Sequence, residues 1–217
     1  KSPKYLVSRP IEKFLLHNAD GLIVSSKYLY DKFNKLNSKI IIVPNGINLQ
    51  KFKLKERSNV YDYIFVGRLV YIKGIDRMID FVNLNKDKKF LLIGSNPLGI
   101  DFKKYRNITY LPKIENNKLP LYLNKSKNIL NLSRSEGSPK ALIEGIVCGC
   151  FPVVSGIEAH FDLLEDLKYG EILNYPNKDI KRIGNYDEKY LTVFNGKYSI
   201  DNCVKKETEF MRQIFLN

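Results

Sequence analysis

Short apolar runs recur along this chain with amphipathic stretches between them, and that alternation limits the fold more than any other feature. GLIVSS at 21–26, KIIIVPNG at 39–46, YDYIFVG at 61–67, KFLLIG at 89–94, ITYLP at 108–112, NILNLS at 128–133 and FPVVSG at 151–156 read as strands, with YGEIL at 169–173 as a further one. Their cores are close to continuously apolar, the pattern of strands covered on both faces. Helical spacing fills the intervals: SKYLYDKFNKL, then GIDRMIDFV at 74–82 with Ile75, Met78, Ile79 and Val82 on one face, NKLPLYLNKS at 117–126, and 139–148. The end, SIDNCVKKETEFMRQIFL, has the pattern of a long amphipathic helix. Strand and helix in turn predict an α/β fold, a doubly wound, Rossmann-like parallel sheet with helices on both sides. PNG at 44–46 is a turn signal, and the polar, lysine-rich stretch 47–60 predicts a linker.

The 217 residues suffice for one large domain or two small ones. With 36 Lys+Arg against 23 Asp+Glu the net charge is +13, which points to a polyanionic or phosphate-bearing partner. The lysines are scattered, and no basic stripe with interleaved stacking aromatics is present, so nucleic acid is not the expected partner. Cys148, Cys150 and Cys203 are too few for a disulfide framework and read as buried thiols in a reducing compartment. His17 and His160 are the only histidines, which excludes a His-rich metal site, and the lack of a Gly-x-Ser-x-Gly elbow argues against a hydrolase triad. No apolar run approaches the roughly 20 residues that span a bilayer. Because the first residue is Lys1 rather than Met, the sequence is expected to be a piece of something longer.

In a doubly wound sheet, ligands bind outside the carboxyl ends of the strands, so the residues that follow strands matter most. Gly67, Arg68 and Lys73 follow the third strand, and Gly74 opens a helix whose free N–H groups favour an anion. After the strand ending near Leu132 comes SRSEGSPKALIEG. Here Ser138 is the expected N-cap and Pro139 the first helical residue, leaving the N–H groups of Lys140, Ala141 and Leu142 as a second phosphate cradle beside Gly137. Glu136 precedes that helix, where a carboxylate offsets the helix dipole by about 0.3–1 kcal/mol. Glu144 lies among Ala141, Leu142, Ile143, Ile146 and Val147. Buried without partners it would cost several kcal/mol, so it should meet donors or a polyol such as ribose, unless it points to solvent.

FVGRLVYIKGID followed by SRSEGSPKALIEG resembles the donor-binding half of the retaining glycosyltransferases of family 4, the glycosyl transferases group 1, which have the GT-B fold. NADGLIVSSKYLYDKF and IIIVPNGIN are similar to the lead-in to that half. The resemblance implies that residues 1–52 are the tail of an acceptor-type Rossmann domain plus linker, and that 53–217 form a donor-binding Rossmann-like domain. It further implies that the last helix crosses back onto the acceptor side. Arg68 and Lys73 would hold the donor diphosphate, with amides from Gly137 to Leu142 sharing that task. Glu136 would contact the transferred sugar and Glu144 the ribose, the pair forming the Glu-x7-Glu signature. Main-chain atoms near Lys113 and Ile114 would meet the base. Arg68, Lys73 and Glu136 are thus the expected catalytic residues.

No Asp-x-Asp occurs, which fits transfer without a metal or other cofactor, the donor being a UDP- or GDP-sugar. The expected activity is retaining, hexosyltransferase-like transfer to a lipid-linked sugar, a polysaccharide or a protein, in the cytoplasm or at the membrane surface with peripheral contact. The sequence departs from the family at SGIEAHFDLLED, where Glu158 and Ala159 stand in place of two usual glycines, and His17 does not match the family's histidine site. The acceptor half is missing, so the isolated chain is expected to be inactive without an N-terminal domain, a partner subunit or a second copy. Two alternatives are a non-catalytic nucleotide-sugar-binding or regulatory subunit and, with less support, a nucleotide-sugar epimerase of GT-B fold.

Overall fold

A computed structural model describes residues 3–56, 58–175 and 180–216, with the side chains of the first helix from Pro10 onward; Lys1 lies outside the described residues. Its elements are α1 (Pro3–Asn18), β1 (Leu22–Val24), α2 (Lys27–Phe33), β2 (Ile40–Ile42), β3 (Tyr61–Val66), α3 (Ile75–Leu84), β4 (Phe90–Ile93), β5 (Ile108–Leu111) and α4 (Leu119–Asn124). There follow β6 (Ser126–Asn131), α5 (Lys140–Val147), β7 (Phe151–Ser155), α6 (Glu158–Leu167), β8 (Gly170–Leu173), β9 (Ile180–Ile183), α7 (Glu188–Tyr198) and α8 (Ile200–Phe215). Two sheets result: a parallel pair β1–β2, and a seven-stranded sheet in the order β5-β4-β3-β6-β7-β8-β9.

The large sheet is parallel from β5 through β8, as the apolar runs predict, and only the edge strand β9 runs antiparallel to β8. Successive residues of each inner strand feed opposite faces. Ile64, Leu91, Ile129 and Val154 enter one core with Leu142, Ile143 and Ile146 of α5 and Phe194 of α7. Phe65, Leu92, Leu130 and Val153 enter the other with Ile75, Met78 and Val82 of α3. Strand order reverses between β3 and β6: the chain winds outward through β4 and β5, then returns to β6 beside β3. Such a switch point leaves an open crevice at the carboxyl ends of two neighbouring strands.

Several details correct the sequence reading. The stretch read as a linker is not free at its start: Ile47 and Phe52 are buried in the core, and Ile47 pairs with Ser199. Strand β6 begins two residues earlier than the apolar run, at Ser126, because that hydroxyl donates to Tyr122 O at 2.9 Å and satisfies itself inside the fold. Glu158 and Ala159, standing where the family usually has glycines, open α6, which buries Ala159, Leu163, Leu164 and Leu167 on one side. Helix α8 lies against the N-terminal segment, so close that a Cβ on Gly21 would meet Ile214 at 2.1 Å and one on Gly46 would meet Ile200 Cα at 2.7 Å. Cys148, Cys150 and Cys203 are free and buried. Among the described residues no helix is long and apolar enough to cross a membrane.

Candidate functional site

The two loops at the switch point meet. After β3 the chain makes a short 3-10 helix over Tyr71–Lys73 and turns into α3 through Gly74, which is left-handed at φ 73°, ψ 33°. The loop after β6 is pinned to it: Arg134 N–H donates to Ile72 O at 2.9 Å. The Arg134 guanidinium donates to both Asp76 oxygens at 2.7 and 2.6 Å and to Tyr71 O at 2.8 Å, and stands 3.6 Å from the Tyr71 ring centroid. This fork holds the Asp76 carboxyl below the usual carboxylate range.

Within that frame Lys73 Nζ sits 2.7 Å from both oxygens of Glu136, whose side chain is only 8% exposed. Glu136 also accepts from Ser133 Oγ at 2.7 Å and Asn131 Nδ2 at 3.4 Å. It lines a hollow of about 260 Å³ with Tyr28, Arg134, Gly156, Glu158 and Ala159. On the other side of the switch point, the ends of β3, β4 and β5 enclose a cavity of about 470 Å³. Gly67, Arg68, Gly94, Ser95, Lys113 and Ile114 line it. That volume lies within the range of small-molecule sites, about 300–1,000 Å³. Arg68 and Lys73, adjacent in the sequence argument, therefore divide: Arg68 is exposed along the large cavity, while Lys73 is turned onto Glu136.

Helix α5 starts one residue later than expected. Pro139, not Ser138, is its N-cap, and no side chain caps it. The Lys140 N–H is already used, donating to Ser138 O at 2.9 Å, so the cradle narrows to Ala141 and Leu142. Gly137, Ser138 and Pro139 face a crevice of about 100 Å³ against Ser25, Ser26 and Lys27 of the N-terminal segment. The reason is local: Pro139 takes φ −80° and ψ 75°, outside the helical region, and this delays the first turn.

Glu144 is buried, at 4% exposure, rather than on an open stripe of the helix. Among the described residues no donor lies within hydrogen-bond distance of its carboxylate. Burial raises its pKa, and the nearby charges of Lys140 and Lys51 pull it back only in part. Lys51 belongs to the stretch read as linker, and its ammonium contacts Asn116 on the rim of the large cavity. Sequence reasoning missed Ser133, Asn131, Arg134, Lys51 and Asn116. For Ser133 the local cue was its place at the end of a strand, three residues before Glu136.

The sequence profile of the family described as Glycosyl transferases group 1 matches residues 46–191. A UDP-Gal:alpha-D-GlcNAc-diphosphoundecaprenol alpha-1,3-galactosyltransferase of Escherichia coli is 29% identical over 175 residues, covering 70% of this chain and 44% of that protein. An uncharacterised 41.2 kDa protein of the Klebsiella pneumoniae cps region is 24% identical over 182 residues, covering 76% and 51%. The chain thus spans about half the length of the curated relatives it matches. Among solved structures, sucrose-phosphate synthase from Thermosynechococcus elongatus superposes with a TM-score of 0.73 at 17% identity, over 95% of this chain and 61% of its own. Anabaena HepE in complex with UDP and glucose gives 0.72 at 14% identity, over 98% and 69%.

Proposed function

Because the chain belongs to the glycosyl transferases group 1 family, we propose that it supplies the donor-binding half of a retaining, metal-independent glycosyltransferase. The observation that carries this reading is the pairing at the switch point: a lysine and a glutamate, brought from two different strand ends, at a hollow of about 260 Å³, with a cavity of about 470 Å³ on the other side. Residues 1–52 are the tail of the acceptor side and 53–217 the donor domain. The base enters the large cavity near Lys113 and Ile114, and Glu144 accepts the ribose hydroxyls. This supplies the donors that the protein itself does not give that carboxylate. Arg68 and Lys73 hold the diphosphate, assisted by the Ala141 and Leu142 amides, and neutralise the charge that grows on it as the glycosidic bond breaks. Glu136 accepts a hydroxyl of the transferred sugar. The nucleoside diphosphate is UDP or GDP, and the E. coli relative's UDP-Gal donor makes a UDP-sugar the first to test.

Calorimetry of the 217-residue chain with UDP, GDP and ADP, in the presence of a chelator, tests the reading. At least one should bind with micromolar-to-millimolar affinity. Arg68→Ala and Lys73→Ala should each weaken it about tenfold, the scale of one hydrogen bond to a charged group. No heat with any of the three, from folded protein, overturns the proposal.

The two glutamates should separate. Glu144→Gln is expected to weaken nucleoside diphosphate binding about tenfold or more, by removing a charged acceptor from ribose. Glu136→Gln should leave binding of the bare nucleotide unchanged. Glu144→Gln should also stabilise the unliganded chain near neutral pH. The buried carboxyl has a raised pKa, so its ionised form is destabilising, and that cost grows as pH rises above the ordinary value of 4.5. Urea midpoints that move together for wild type and variant across this range would refute the burial argument.

A further inference from the structure

Glu136 is held by more than its cation. Oε1 accepts from Ser133 Oγ at 2.7 Å, from Lys73 Nζ at 2.7 Å and from Asn131 Nδ2 at 3.4 Å. Among the described residues Oε2 accepts only from Lys73 Nζ, at 2.7 Å. The carboxylate is therefore asymmetric, with three donors on one oxygen and Lys73 alone, among the described residues, on the other. Ser133 is fully buried, and its main chain is fixed on both sides: its N–H donates to Asn131 Oδ1 at 3.2 Å, and its carbonyl accepts from Ser155 Oγ at 2.5 Å. Its hydroxyl thus stands where the ends of β6 and β7 put it.

We propose that Ser133 is a positioning residue: by occupying Oε1 it presents Glu136 Oε2 to the 260 Å³ hollow as the acceptor for a hydroxyl of the transferred sugar. This rests on the reading of Glu136 as the sugar contact. A buried serine that only satisfies itself bonds a main-chain carbonyl, as Ser155 and Ser126 do. Ser133 instead spends its proton on a charged side chain in the loop where sugar and diphosphate would meet. A carboxylate with three oxygen-bound donors on one side loses its freedom to rotate, and that is the condition for discriminating among hydroxyl positions.

The test is the ratio of affinities for a UDP-sugar and for UDP, measured by calorimetry on the full 217-residue chain with UDP, UDP-glucose and UDP-galactose. Wild type should bind one of the two sugars more tightly than UDP. Ser133→Ala should reduce that preference about tenfold, with UDP affinity unchanged. Ser133→Thr, which keeps the hydroxyl, should restore it. Ser155→Ala removes a buried hydroxyl bond of the same kind and should lower the melting temperature comparably, while the sugar preference stays. Ser133→Cys, with similar volume and a weak donor, makes the same measurement if the alanine variant does not fold. The proposal is overturned if Ser133→Ala or Ser133→Cys keeps the wild-type ratio, or if Ser155→Ala lowers it as much. Wild-type protein that binds UDP but gains nothing from either sugar also overturns it, leaving the nucleotide site standing. A chain that binds no nucleotide overturns the functional reading itself.

Discussion

Gly74→Ala should destabilise the folded chain severely, on the order of 4 kcal/mol, and abolish nucleotide binding with it. Gly74 ends the 3-10 helix and caps α3 in the left-handed region, at φ 73°, where any other residue costs about 1–2 kcal/mol. The larger cost is steric. A Cβ there would stand 2.0 Å from Leu132 O and 2.7 Å from Leu132 C. Both atoms are main chain at the end of β6, so no rotamer change relieves the overlap. The loops after β3 and β6 would have to separate, and with them Lys73 and Glu136, which are 2.7 Å apart. Gly99 is the control: it too is left-handed, at φ 63°, but nothing lies within 4 Å of the position its Cβ would take. Gly99→Ala should therefore cost only the backbone share. Urea unfolding of both variants reads the difference, and equal losses would show that the contact with Leu132 carries no weight.

That contact also shows where sequence reasoning stopped. The strands were legible because both faces of the sheet are covered, which leaves apolar runs such as FLLI with no polar partner. Helix α3 was legible from its spacing, although Phe81, also buried on it, was not in the face first drawn. The edge strand β9 was missed because IKRI is mostly exposed and alternates weakly. Helix α7 buries Leu191, Phe194 and Tyr198 from a segment otherwise polar, so its pattern is faint. Ile47 and Phe52 are isolated apolar residues in a lysine-rich stretch, and they are buried by residues distant in sequence; Ile47 bonds the main chain of Tyr198 and Ile200.

The candidate site divides along the same line. Arg68, Lys73 and Glu136 could be found by their place after a strand, a local property. That Lys73 would bond Glu136 while Arg68 lined a separate cavity could not be read, because it follows from β6 lying beside β3 despite the long intervening chain, residues 67–125. The position of the α5 cap was misread for a local reason. Pro at a first helical turn is common, but Pro139 here takes a non-helical ψ and pushes the start to Lys140.

His160 should make the chain acid-sensitive. It is fully buried in α6, with Nδ1 at 2.8 Å from Ser155 O and 3.3 Å from Ser155 Oγ. A carbonyl accepts, so Nδ1 carries the proton, and Nε2 is bare and without a partner among the described residues. Protonating Nε2 would bury a charge with no acceptor. Burial accordingly lowers the pKa to about 4, against the smaller upward pulls of the Ser155 carbonyl and of Glu136; Lys73 adds to the lowering. The folded value is depressed below the ordinary 6.5, so the stabilisation is complete above 6.5 and is lost as pH falls from there through about 4. The loss is on the order of 3 kcal/mol, a large share of an ordinary domain's stability. Glu144 works in the opposite sense, its raised pKa relieving the fold as pH falls, so wild-type slopes alone mix the two. His160→Asn separates them. An Asn amide N–H can take the place of Nδ1 toward Ser155 O but does not titrate. The variant should be less stable at neutral pH, from the ring volume lost, yet its urea midpoint should fall less steeply on acidification. Ser155 Oγ, 3.3 Å from His160 Nδ1, also holds the carbonyl of Ser133 at 2.5 Å, so charging His160 is expected to disturb the support beneath Glu136. In the folded chain His160 charges only as pH passes through about 4, so the preference for a UDP-sugar over UDP should fade there in wild type and persist in His160→Asn. Parallel pH profiles for the two proteins, in stability and in sugar preference alike, would show that this histidine is neutral ballast.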